Sequence, residues 1–414
     1  MTELPIEAIQ STVEKTVRTT PIYDIHTHLY DLPFGGLLLW GIDELITYHY
    51  LIAEVFRQAP RPYADFWALD KKAQAELIWE ELFIRHSPIS EACRGILTCL
   101  HELGVDTSKR DLSKIRAWFE ATTVEAYVDT VFETGNVEAV VMTNNPFDDE
   151  ERPVWERGVE LDPRFKPALR IDNLLVDFDN AAAKLKEWGY AVDGSLGTKD
   201  IAEIKRFLEE WIERMQPLYM AASLPPSFAF PEDSACGTVL EECILPISAS
   251  AQVPFAMMIG VKKLTNPELR LAGDSVGKSS IEAVEYLCAN YPDNKFLVTF
   301  LARENQHEAC IAARKFHNLM LFGCWWYLNN PSIIDEMTRM RMETLGLSFI
   351  PQHSDARVLD QLIYKWSHSR GIIADVLTDK YTDLAQAGWR VTEAEIERDV
   401  KDLFGNNFRT FLER

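Results

Sequence analysis

The stretch PIYDIHTHLYD, residues 21–31, passes from a short apolar run into two histidines one residue apart. In extended backbone, residues i and i+2 point the same way, so His26 and His28 can converge on one ion at the end of a strand over 21–25. HxH spacing alone does not separate a ligand pair from two polar residues on a loop. The residues at the ends of the other apolar runs have to decide.

Seven further β-like runs lie downstream: EAVVM at 138–142, KPALR at 166–170, PLYMAAS at 217–223, PFAMMIG at 254–260, KFLVTFL at 295–301, LMLFG at 319–323 and LSFIP at 347–351. Near-continuous apolar runs separated by helix-like stretches are the pattern of buried parallel strands joined by right-handed crossovers. Eight such units predict an α/β fold, a (β/α)8 TIM barrel. Between the first and second runs about a hundred residues read as helices, including IDELITYHYLIAEVFRQ and AELIWEELFIRH, which predicts a helical lobe inserted over 32–136. No linker or shift in composition sets it apart, so 1–414 reads as a single domain. MTELPIEAIQSTVEKTV reads as a first helix, and two helices near 356–379 and 393–412 close the chain.

The 414 residues carry 64 acidic and 42 basic side chains, a formal charge of −22 that repels a phosphate backbone or an anionic membrane surface. Neither nucleic acid nor membrane is expected as a partner, whereas a small anion can still be held by a few arginines in a cleft. The N-terminus lacks the basic and apolar regions of a secretory signal, and no apolar run approaches the roughly 18 residues of a membrane span. Seven scattered cysteines without CxxC spacing read as reduced core residues of a cytoplasmic protein. A homo-oligomer is the expected assembly.

In a barrel of this kind chemistry belongs at the carboxyl ends of the strands. After the eighth run comes His353-Ser354-Asp355-Ala356-Arg357. Strands one and eight are neighbours in a closed barrel, so Asp355 can face the histidine pair and complete a two-His, one-carboxylate set; the bland alternative is an Asp355 that caps a helix starting near Val358. The fourth and fifth runs end without Lys, His or Glu, so one divalent ion is expected rather than two, with Zn2+ the best fit and Mn2+ or Fe2+ alternatives. Arg170 with Asp172, Arg303 and Arg357 stand at other strand ends, where guanidinium groups suit a carboxylate substrate or serve as structural ion-pair partners. Trp325 and Trp326, with Asn329 and Asn330 just beyond them, can wall a sugar pocket, and His49 and Tyr50 of the inserted helices can close over it.

With these residues assembled, the sequence resembles the uronate isomerase (glucuronate isomerase) family of the amidohydrolase superfamily over nearly its whole length. The resemblance rests on DIHTHL, the HY of the inserted segment, TNNP after the second run, RID after the third, FGCWWYLNN, HSDAR and the tail GNNFRTFL. It departs at Leu224-Pro225, where common members carry an aspartate-histidine pair, at Met258, where they carry histidine, and at Asn144-Asn145, where they tend to carry aspartates; this marks a divergent branch. The resemblance implies interconversion of D-glucuronate with D-fructuronate and D-galacturonate with D-tagaturonate, by moving hydrogen between C2 and C1 through a cis-enediol. It implies His26, His28 and Asp355 around the metal, with Asp355 also exchanging a proton through metal-bound water. Tyr50 and Arg170 match a pair acting at C2; a nearby cation would lower the tyrosine pKa. Arg357, Trp325 and Trp326 would hold the uronate, with His49, Asp172 and Arg303 as further substrate contacts and His353 as an auxiliary polar one. The competing readings are a mononuclear metal-dependent hydrolase of the same superfamily, acting on a lactone or amide, and a non-catalytic uronate-binding barrel.

Overall fold

The computed structural model describes residues 4–414. Its strands, in chain order, are β1 (Ile22–Thr27), β2 (Val137–Asn144), β3 (Phe165–Arg170), β4 (Met220–Leu224), β5 (Phe255–Ile259), β6 (Val261–Lys262), β7 (Ser275–Val276), β8 (Phe296–Phe300) and β9 (Leu319–Leu321). Seven of them form one parallel sheet in the order β1-β2-β3-β4-β5-β8-β9, and the short antiparallel pair β6 and β7 interrupts the series. In β5 and β8 all five residues are buried, as expected of strands covered on both faces.

Alternate residues separate into two layers. Ile22, Val140, Leu169, Phe255 and Phe296 join the large core against the helices. Ile25, Val141, Ala168, Ala256, Leu297, Met320 and Ile350 form a second cluster that includes residues from both ends of the strand order. A flat sheet could not bring its edges into one cluster, so the sheet curls on itself. Phe408 and Phe411 of the helix Asn407–Glu413 pack into this inner layer.

The eighth predicted strand is not a ladder strand. Ile350 makes one parallel bridge to Phe322, with Ile350 N–H to Leu321 O (3.0 Å) and Gly323 N–H to Ile350 O (2.9 Å). Further on, Asp355 N–H donates to His26 O (3.1 Å) and His28 N–H to Ala356 O (2.7 Å). The segment thus touches both edge strands, but between these contacts Pro351 has no N–H to give, and side chains replace the ladder: Cys324 N–H goes to Gln352 Oε1 and Ser354 N–H to Asp24.

Between β1 and β2 the chain is helical, as expected, but the run read as helical over 42–58 is two helices, Ile42–Ile46 and His49–Gln58. Tyr48 between them is extended (φ −66°, ψ 146°), so a new helix starts at His49. The first helix runs Ile6–Thr19; residues 1–3 of that reading lie outside the described residues. The long C-terminal helix starts at Gln361 rather than 356, so Asp355 is not its cap. All seven cysteines are free, six of them buried. Among the described residues no helix is long and apolar enough to cross a membrane.

Candidate active site

The ends of β1, β3 and β4, the segment after Ile350, and the loop carrying the tandem tryptophans open onto a cavity of about 430 Å³, within the usual range for a small-molecule site. His28, His49, Arg170, Asp172, Trp325, Trp326, Asp355 and Arg357 line it, together with Ser223 and Lys263.

At one end His28 Nε2 stands 3.2 Å and His26 Nε2 3.7 Å from Asp355 Oδ1. One ligand atom from each of the three lies within 4.8 Å of the others. His26 Nε2 and Asp355 Oδ1 are buried with no hydrogen-bond partner among the described residues. Burial, with His28 adding to it, pushes His26 down to about 3, and burial likewise holds His28 well below the usual imidazole range, so both rings are neutral. Lone pairs facing one another in a dry place are unfavourable unless a positive centre lies among them. The three residues therefore fit a divalent cation.

A bulge produces this geometry. Between Asp24 and Thr27, β1 advances three residues while β2 advances two, from Val140 to Met142, so His26 leaves the simple alternation. Its Nδ1 lies 3.2 Å from Tyr219 Oη, and His28 Nδ1 lies 2.9 Å from Thr143 Oγ1. Asp355 is held with φ +52°, in the left-handed region that favours glycine and, after it, asparagine and aspartate, and the bulkier Trp326 at +48°.

Behind the histidines is a second polar layer. Asp24 accepts from Ser354 N–H (3.1 Å) and from Trp366 Nε1–H (2.8 Å), and Lys365 Nζ donates to Ser354 O. Ser354, the residue before Asp355, is therefore gripped at both its N–H and its C=O. Burial raises Asp24 to about 6 against the pull of these hydrogen bonds, and burial lowers Lys365 to about 8 although Asp355 and Asp24 oppose it.

Arg170 donates to both oxygens of Asp172 (3.0 and 2.8 Å), and Asp172 Oδ1 also takes Ser223 N–H (2.9 Å). Burial works against the Asp172 charge, but Arg170 overcomes it and holds the carboxyl below its ordinary range. Trp326 Nε1–H donates to His49 Nε2 (3.0 Å), which leaves the buried His49 Nδ1 without a partner.

Three expected residues stand elsewhere. Arg303 projects outward from the turn after β8 and pairs with Glu336 (2.9 Å), so it does not reach the cavity. His353 lies beneath the site rather than on its wall: its ring packs on His26 and Phe322, each 5.2 Å between centroids, and both ring nitrogens lack partners. It presses so closely on Gly323 (φ +63°) that a Cβ there would lie 1.7 Å from His353 Nδ1. Tyr50 packs behind His49 (4.3 Å between centroids) off the cavity wall, its hydroxyl buried and unpartnered. Burial, then Tyr48 and Asp355, push its pKa well up, so any lowering would have to come from a bound cation.

Sequence reasoning missed Asp24, Thr143, Tyr219, Ser223, Lys263 and Lys365. Asp24 and Lys365 carry a signal, a charge inside the apolar runs PIYDI and LIYKW. Tyr219 and Thr143 carry none, because tyrosine and threonine are ordinary strand residues.

No family model and no curated protein matches the chain. Among solved structures, a uronate isomerase from Thermotoga maritima has a TM-score of 0.78 at 15% identity, covering 100% of this chain and 98% of that one. A glucuronate isomerase from Caulobacter crescentus has 0.77 at 14%, covering 99% and 94%. These two show the fold alone. A uronate isomerase from Bacillus halodurans C-125 has a TM-score of 0.98 at 57% identity, covering 100% of this chain and 98% of that one. With that identity over the full chain, and the curled parallel sheet bringing His26 and His28 of the β1 end against Asp355 of the segment after Ile350, the protein belongs to the uronate isomerase family.

Proposed function

We propose that this enzyme interconverts D-glucuronate with D-fructuronate and D-galacturonate with D-tagaturonate. The observation that carries the reading is the cavity itself, with the histidine and aspartate group at one end and Arg357 on its wall without a carboxylate partner among the described residues. Arg170 is already paired with Asp172, so Arg357 is the cation free to take the substrate carboxylate, while Trp325 and Trp326 offer flat walls to the sugar. His26, His28 and Asp355 would hold one divalent ion, for which Zn2+ is proposed because it is a borderline ion that takes imidazole nitrogen and carboxylate oxygen together. When bound, such an ion supplies Lewis-acid charge to a substrate oxygen.

The proton at C2 needs an acceptor. Asp355 lines the cavity, whereas Tyr50 stands behind His49, so Asp355 is taken as the base that receives the C2 proton and returns it to C1. Arg170 offsets the negative charge that builds on oxygen as the enediol forms. Product made in D2O is then expected to carry deuterium at C1; full retention of a C2 label at C1 would favour a hydride shift. The Tyr50 and Arg170 pairing is tested by Tyr50→Phe: near-normal kcat in metal-replete protein leaves Asp355 as the base, and a loss of roughly 10²- to 10⁴-fold restores Tyr50 to that role.

The same reading completes the fold as a closed (β/α)8 barrel, a single domain over 1–414 with a helical lobe at 32–136, working as a cytoplasmic homo-oligomer. NMR of the protein incubated with D-glucuronate and D-galacturonate should reveal the ketoses. Neutral glucose should turn over poorly, since Arg357 would lack its partner. Absence of ketose together with hydrolysis of a sugar lactone would replace the isomerase by the hydrolase.

A further inference from the structure

The orientation of the two histidines is set by hydroxyl groups on other segments of the chain. Tyr219 Oη lies 2.7 Å from Ile25 O and 3.2 Å from His26 Nδ1. A carbonyl oxygen only accepts, and two oxygens this close repel unless a proton lies between them, so the single Tyr219 proton points to Ile25. His26 Nδ1 then faces an oxygen lone pair and has to carry the ring hydrogen. Thr143 repeats the arrangement: its Oγ1 donates to Thr27 O (2.9 Å) and faces His28 Nδ1 at 2.9 Å. Each hydroxyl is anchored on the carbonyl of the residue preceding the histidine it serves. The two relays come from different places, Tyr219 just before β4 and Thr143 within β2.

We infer that Tyr219 and Thr143 are positioning residues, which hold His26 and His28 with the ring hydrogen on Nδ1 so that both Nε2 lone pairs converge with Asp355 Oδ1 on one cation. The consequence is independent of sugar chemistry: a ring that carried its hydrogen on Nε2 would present a donor to the cation, and these hydroxyls exclude that state. The inference rests on the metal reading of this site for its purpose, but not for the tautomers themselves.

The test has two arms. In wild-type protein stripped of metal and labelled with 15N in its histidine rings, with His26 and His28 assigned through His26→Gln and His28→Gln, NMR should find both as Nδ1–H. Finding either as Nε2–H overturns the assignment. In chelator competition with Zn2+ alone, Tyr219→Phe and Thr143→Val should each raise the dissociation constant roughly 10- to 100-fold, and Thr143→Ser should restore it. Folded Tyr219→Phe and Thr143→Val proteins with wild-type Zn2+ affinity overturn the positioning role. Should either variant fail to fold, the wild-type tautomers and the Thr143→Ser affinity still decide. Wild-type protein with both rings Nδ1–H that takes up no Zn2+ overturns the metal reading and leaves the tautomer assignment supported.

Discussion

Strand β1 and the segment after Ile350 meet in two polar layers, and the layers are built differently. In the deeper one, Asp24, Ser354, Trp366 and Lys365 answer one another: carboxylate to N–H and indole, ammonium to carbonyl. In the one that faces the cavity, His26 Nε2 and Asp355 Oδ1 have no hydrogen-bond partner among the described residues. A closed hydrogen-bonded layer holds shape, whereas an open one leaves room for something to bind. Asp355, at φ +52°, directly follows Ser354 of the closed layer and faces the open one.

If that division is right, substitutions in the two layers should separate stability from chemistry. The largest effect expected is on Asp355→Asn, which should lower kcat roughly 10²- to 10⁴-fold while the thermal midpoint barely moves. His26→Ala and His28→Ala should lose bound metal and stay folded; unchanged metal stoichiometry in both would remove the ligand assignment. Lys365→Met belongs to the closed layer. It leaves Asp24 buried without its nearby cation and Ser354 O short of a donor, so denaturant unfolding should show a loss of about 2 to 4 kcal/mol. A variant as stable as wild type would mean that the deeper layer is not what holds the segment.

Glu151 gives a smaller, pH-dependent version of the same contrast. It is buried and accepts from Tyr30 Oη (3.0 Å), Asn145 N–H (2.9 Å) and Trp155 Nε1–H (3.3 Å), yet burial raises it to about 7 against those bonds. An acid raised on folding binds more protons folded than unfolded, so its contribution is full below its unfolded pKa and is lost as pH climbs toward 7. That amounts to about 3 kcal/mol over the window, taking about 1.36 kcal/mol per pKa unit. Glu151→Gln should flatten the fall in stability between about pH 4.5 and 7; an unchanged slope would show that Glu151 stays ionised throughout. Arg303→Ala should matter least: its pair with Glu336 is exposed and screened by water, so neither the unfolding midpoint nor kcat should move measurably.

The legible part of this molecule was the part with local signatures. Apolar runs of strand length marked all seven sheet strands, because a strand buried on both faces must be apolar throughout, and HxH with HSDAR pointed to the histidine and aspartate group because residues just past the apolar runs gather at one end of the sheet. Arg303 illustrates the limit. It stands just beyond its strand much as Arg170 stands at the end of β3, and no local feature says that one turn points outward to Glu336 while the other points inward to Asp172.

Chain order was therefore enough to say which residues follow which apolar runs, and with that the parallel α/β sheet and the histidine and aspartate group. What those side chains meet was settled only on folding: the bulge that turns His26, the hydroxyls of Tyr219 and Thr143 behind the two rings, and the burial of His353 beneath the site. These depend on contacts between segments more than a hundred residues apart, such as His28 with Thr143 and His26 with Tyr219. Hydrogen-bond direction is a property of such a pair, and neither partner's neighbours in the chain encode it.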